Sequence, residues 1–121
     1  MKIKATESQI QRGILDYLKM RGILSWRNNS LAVPVIDKYN RRHYIRTGMK
    51  GASDIVGVFT IMSVGVIMCI EVKSQKGVIS LAQKSFLKTI RRRGGIAFVA
   101  RSIEDVEKEL DKYAKNLSSL P

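Results

Sequence analysis

The chain has one cysteine and one histidine in 121 residues. With Cys69 alone, no internal disulfide can form, which fits a reducing cytosol. Cys69 lies inside an apolar run with no histidine near it in sequence, so it reads as a core thiol rather than a nucleophile. With His43 alone, the sequence argues against a Cys/His zinc site and a histidine-rich metal site. No run approaches the roughly 20 apolar residues of a membrane span. The opening MKIKATES holds no apolar signal region. These absences lead us to expect a cytoplasmic protein with no membrane partner and no small-molecule cofactor. Internal repeats, low-complexity stretches and linkers are absent as well.

Acidic residues are scarce: 10 Asp and Glu stand against 22 Lys and Arg, for a net charge of +12. That excess is large for the size and predicts a polyanionic partner, nucleic acid ahead of simple solubility charge. Hydrophobic content of 45% and charged content of 26% are ordinary for a globular protein. The length suits one domain, residues 1–121, with a single core.

The few acids include a suggestive set. In Gly51 to Lys73, GASDIVGVFTIMSVGVIMCIEVK, two short β-branched runs, Ile55–Met62 and Val64–Val72, read as adjacent strands joined by a tight turn at Ser63 and Gly65. Alternation sends Glu71 and Lys73 to one face and Val72 to the other. Antiparallel pairing would bring Asp54 beside Glu71. Two carboxylates can hold Mg²⁺, which takes oxygen ligands and shares substrate phosphates. A lysine beside them can orient a water or neutralise charge developing on phosphate. Alone, E-V-K signals only surface charge; an Asp placed to meet it favours phosphodiester hydrolysis.

Gly51-x-x-Asp54, a strand, then Glu71-Val72-Lys73 resembles the signature of the PD-(D/E)xK nucleases. With the early Glu7 and the sequel Ser80-Leu-Ala-Gln83, it resembles the virus-type replication-repair nuclease (VRR-NUC) branch in its small, stand-alone, phage-like form. The resemblance runs from about Glu7 to about Ala100. One departure is Ser53, where the superfamily name has proline; proline there only restricts the backbone. The resemblance implies an α/β, restriction-endonuclease-like core with a central mixed β-sheet flanked by helices. It also implies a metal-dependent endonuclease. Asp54 and Glu71 would bind Mg²⁺ or Mn²⁺ with the Val72 carbonyl, Lys73 would position or deprotonate the attacking water, and Glu7 and Gln83 would complete the site. Branched DNA such as a four-way (Holliday) junction or a flap is the implied substrate, and a homodimer the implied assembly. The alternatives are a non-catalytic nucleic-acid-binding domain, or a nuclease acting on RNA or ordinary duplex.

The rest of the chain supplies the frame. Thr6-Glu-Ser-Gln9 fits a capping box opening a helix with Ile10, Ile14, Tyr17 and Leu18 as its apolar stripe, ending near Arg21-Gly22. Glu7 then sits in the first turn, where the helix dipole alone would favour an acid. Ile23–Asn28 reads as a strand with Trp26 in the core; a base-stacking Trp26 would leave a large ring exposed. Asn28-Asn29-Ser30 is a turn. Val33–Asp37 and His43–Arg46 flank Lys38–Arg42 as a hairpin or mobile loop. Arg41, Arg42, His43, Tyr44, Arg46 and Lys50 offer phosphate contacts just before the site, and Lys76 follows it; the plainer reading is an edge strand protected by charge. Ser80-Leu-Ala-Gln83 caps a second helix through about Arg93, with Leu81, Phe86, Leu87 and Ile90 as its buried side, and capping alone would explain Gln83. Gly94-Gly95 stops it. Ile96–Ala100, wholly apolar, is expected inside the sheet. Ser102 caps a last helix with Ile103, Val106, Leu110, Tyr113, Ala114 and Leu117 at helical spacing.

Overall fold

The computed structural model describes residues 4–28, 32–46 and 48–118, with the backbone alone at 32, 46 and 115–118. The expected turn residues Asn29 and Ser30, and the side chains of Arg46 and Leu117, fall outside this description.

Helix α1 (Glu7–Met20) begins as its sequence dictates. Gln9 N–H donates to Thr6 Oγ1 at 3.2 Å, and Thr6 N–H donates to Gln9 Oε1 at 2.9 Å. Strands β1 (Leu24–Arg27), β2 (Ala32–Ile36), β3 (Arg42–Arg46), β4 (Ile55–Ile61) and β5 (Val64–Val72) follow, then α2 (Leu81–Arg92), β6 (Ile96–Ala100) and α3 (Ile103–Ser118). The main sheet has the order β1-β4-β5-β6. Its first two pairings are antiparallel and β5–β6 is parallel, with α2 as the crossover, so the sheet is mixed as expected. No described helix is long and apolar enough to cross a membrane.

Strand alternation divides the apolar residues between two layers. Ile55, Met68, Ile70, Val72, Ile96, Phe98 and Ala100 pack against Ile14 and Leu18 of α1 and Val106 and Leu110 of α3. On the opposite face, Cys69 and Ala97 pack under Leu87 of α2, with Phe86 and Ile90 beside them. Cys69 is thus a core thiol, and burial pushes its pKa up. Glu71 shares the α2 face with Cys69.

Five expectations are corrected. The strand carrying Ile96–Ala100 is at the sheet edge, not inside it; its apolar run records helices on both faces, not neighbours on both sides. Trp26 is outside the core, 47% exposed, and Leu24 is 66% exposed. Both lie on the α2 face, over the half of the sheet that α2 does not reach. Leu81 is exposed because the helix has not met the sheet at its first residue. Ala114 is exposed too. Finally, the β4–β5 turn is Met62-Ser63, both at positive φ (49° and 68°), while Gly65 pairs with Thr60 inside the hairpin.

The segment from Ala32 to Arg46 forms a hairpin, a separate two-stranded sheet with marginal contact to any other element.

Candidate active site

The β4–β5 register pairs Ile55 with Ile70, which sets Asp54 across from Glu71. Asp54 is held at its side chain and at its carbonyl. Its Oδ2 accepts from Val72 N–H at 2.9 Å, and its carbonyl accepts from Asn28 N–H at 2.7 Å. Asn28 Nδ2 donates to the neighbouring Ser53 carbonyl at 3.3 Å, fixing the turn into β4. Asn28 carries no charge or motif that could have revealed this from sequence.

Glu71 is 1% exposed. Its Oε1 accepts from Gln83 Nε2 at 2.9 Å and lies 3.7 Å from Lys73 Nζ. Its Oε2 is buried without a hydrogen-bond partner, as is Ser53 Oγ. Burial, then the charge of Asp54, pushes the Glu71 carboxyl up to about 8; Lys73 opposes this and Glu7 adds to it. Lys73 is fixed at its backbone, where its N–H donates to the Ala100 carbonyl at 3.1 Å.

The two readings of Gln83 coexist. Its backbone and Oε1 close the capping box with Ser80, while its Nε2 reaches Glu71. Glu7 stands exposed in the first turn of α1, close enough to act on Glu71 electrostatically. It does not join the pair directly: among the described residues, no three His, Cys, Asp or Glu side chains gather at metal-binding distance.

The basic residues split into separate groups. Arg41 and His43 are tied to Asp37, at 3.2 Å and 2.7 Å from its Oδ2. Backbone N–H groups of Tyr39 and Arg41 complete that network, and the Arg41 amide is the first cause of a lowered Asp37 pKa. Arg42 is exposed on the same hairpin. Adjacency in sequence thus becomes a separate sheet in space, not a lining of the carboxylate pair.

Lys50 lines a cavity of about 480 Å³ with Met49, Ala82, Phe86 and Arg93. Lys76 is exposed on the loop after Lys73, whose carbonyls at Ser74 and Gly77 accept from Arg101 Nη1 at 2.5 and 2.8 Å. A lone arginine between a strand and a helix gives no sequence signal for that clamp.

Gly51 joins the Asp54 turn to α2. Its φ is +79°, and a Cβ would sit 2.5 Å from the Ala82 carbonyl oxygen. Gly51→Ala should therefore lower stability by at least about 1–2 kcal/mol from backbone strain alone, with the clash adding to it. Urea unfolding midpoints measure this; an unchanged midpoint would show that the turn and helix do not need this close approach.

A buried glutamate, a half-buried aspartate and a lysine at the end of a β-hairpin, with a helix-borne amide, can hold a cation and present a phosphodiester to water. Comparison with curated proteins and with solved structures found no significant match. The VRR-NUC domain family model matches residues 5–104, and the chain accordingly belongs to the VRR-NUC family, nucleases of the PD-(D/E)xK type.

Proposed function

We propose that the protein is a divalent-metal-dependent endonuclease that cuts DNA, branched DNA in particular. The observation that carries the metal reading is Glu71 Oε2, a buried carboxyl oxygen that no N–H reaches and that is pressed against the Asp54 carboxylate. One lysine does not balance a buried glutamate and the half-buried aspartate beside it, so the donor set fits a hard cation. Asp54 and Glu71, with the Val72 carbonyl, would hold Mg²⁺ or Mn²⁺, and Glu7 would reach it through water. When bound, the ion would lower the pKa of a water and polarise the phosphoryl oxygen.

The protein's own residues do the rest. Gln83 fixes the rotamer of Glu71. Val72 N–H holds Asp54 in line with it. Lys73 orients or deprotonates the attacking water and offers its charge to the phosphate as negative charge builds there. Arg41, Arg42, His43 and Arg46 on the hairpin, with Lys50 and Lys76 nearer the catalytic residues, bind backbone phosphates. In this reading the chain works as one domain in a reducing cytosol. A homodimer, with Ile36, Ile45 and Met49 available as apolar contacts, would place two such sites on a two-fold junction.

The test is cleavage of junction, flap, duplex and single-stranded DNA side by side with Mg²⁺, Mn²⁺ and EDTA. Branched substrates should be cut fastest, and EDTA should stop the reaction. Paired nicks on opposing junction strands, with a dimer by light scattering, would support the resolvase form. A monomer giving unpaired cuts would leave flap or duplex cleavage. Binding should also weaken with salt, by about −0.9 in the slope of log K against log salt per phosphate neutralised on duplex. A flat dependence would mean that the +12 charge serves solubility.

A further inference from the structure

Trp26 has no role in the site described above, yet it stands on the same face of the sheet. In the register, Trp26 pairs with Val56 and Val56 with Cys69, a row directly beside the row of Asp54 and Glu71. One strand spacing and two residues separate the Cα atoms of Trp26 and Asp54, or about 8 Å. Leu24 and Ile67 flank this row, exposed on the same face. An edge-strand tryptophan 47% exposed beside Asp54 and Glu71 is not core packing.

The nearest cations lie round the edge of the sheet. Arg27 follows Trp26 on β1 but turns to the opposite face, where it lines, with Arg12, Ser8 and Gln9, a cavity of about 490 Å³ between β1 and α1. Exposed aromatic rings on a sheet face are how such surfaces hold unstacked bases, and the +12 charge of the chain favours the phosphates that join them. A second copy of the chain is a poorer occupant. Three half-exposed apolar side chains fall far short of the ~800 Å² per partner of a standard interface.

We propose that the uncovered half of this sheet face, centred on Trp26, stacks an unpaired base of the DNA next to the bond to be cut. This rests on the nuclease reading and deepens it. The enzyme would recognise a branch by the base that a branch leaves unpaired.

Trp26 is the only tryptophan, so its emission reports the contact directly. The experiment titrates the protein in EDTA with a flap carrying an unpaired thymine tail and with a fully paired duplex. The flap should quench the emission and the duplex should not. In Trp26→Ala the ratio of flap to duplex affinity should fall roughly tenfold or more. Trp26→Phe should keep most of that ratio, and circular dichroism checks that both variants are folded. Equal responses to flap and duplex, or an unchanged ratio in Trp26→Ala, would overturn the proposal. So would an emission change on raising protein concentration without DNA, which would give the face to a second copy. Because nothing is cut in EDTA, failure of the nuclease reading appears separately, as absent cleavage with Mn²⁺ despite a quenched tryptophan.

Discussion

Lys73→Ala should leave a protein that binds DNA and does not cut it. The side chain is 13% exposed and its Nζ is 3.7 Å from Glu71 Oε1, so it serves the buried site rather than the surface. Binding should change little, because one of 22 basic residues is lost. Cleavage should fall on the order of 10²–10³-fold, the cost of removing one group aimed at developing charge. Lys73→Arg separates the two ways in which the lysine can act. Arginine keeps the charge but does not accept or release a proton near neutral pH. Partial recovery would assign Lys73 to charge stabilisation, and none would assign it to proton transfer. Gel-shift and single-turnover cleavage measurements suffice, and a wild-type rate in Lys73→Ala would remove the residue from the mechanism.

Glu71→Gln should make the metal-free protein more stable at pH 8 while weakening its hold on metal. The Glu71 carboxyl moves from 4.5 to about 8 on folding. Below pH 4.5 both states carry the proton and the full contribution to stability is present. Between pH 4.5 and about 8 the unfolded chain has released a proton that the folded chain keeps. Stability then falls with rising pH, by up to about 1.4 kcal/mol per unit. Above the folded value the loss is complete. The neutral amide introduced by Glu71→Gln removes this slope. It also removes a charge that a hard cation requires, so Mn²⁺ affinity should drop roughly 10–100-fold or more. In wild type, saturating Mn²⁺ should stabilise the folded state most at the alkaline end, where ligand binding and deprotonation no longer compete. Thermal melts across pH in EDTA and in Mn²⁺ measure both effects. Parallel pH profiles for wild type and Glu71→Gln would show that Glu71 does not titrate in this window.

The carboxylate pair was legible because its causes are short-range. Strand alternation and a two-residue turn fix the facing of Asp54 and Glu71 within one hairpin, and both are written in the run of β-branched residues. The capping boxes at Thr6 and Ser80 were legible for the same reason. Trp26 was not. Alternation says which face a side chain takes, but not how far a helix extends over that face, and α2 covers only the β5–β6 half. The basic segment was legible as a hairpin but not as a separate sheet, since charge density along the chain carries no information about docking. The Asn28 amide and the Arg101 clamp bond to backbone carbonyls, which every residue has, so no residue pattern marks them.

The start of α2 has a further consequence for how the chain tolerates change. Ser80 and Gln83 bind each other through the helix's own backbone, and the same Gln83 amide reaches Glu71. Position 83 therefore answers to two grammars at once. Helix initiation accepts glutamine or glutamate there, but glutamate would set a third acid against a carboxylate already short of compensation. Alanine would fail both. Variation compatible with this fold is confined at that position by the overlap of a folding signal with a chemical one, and substitutions there report their sum.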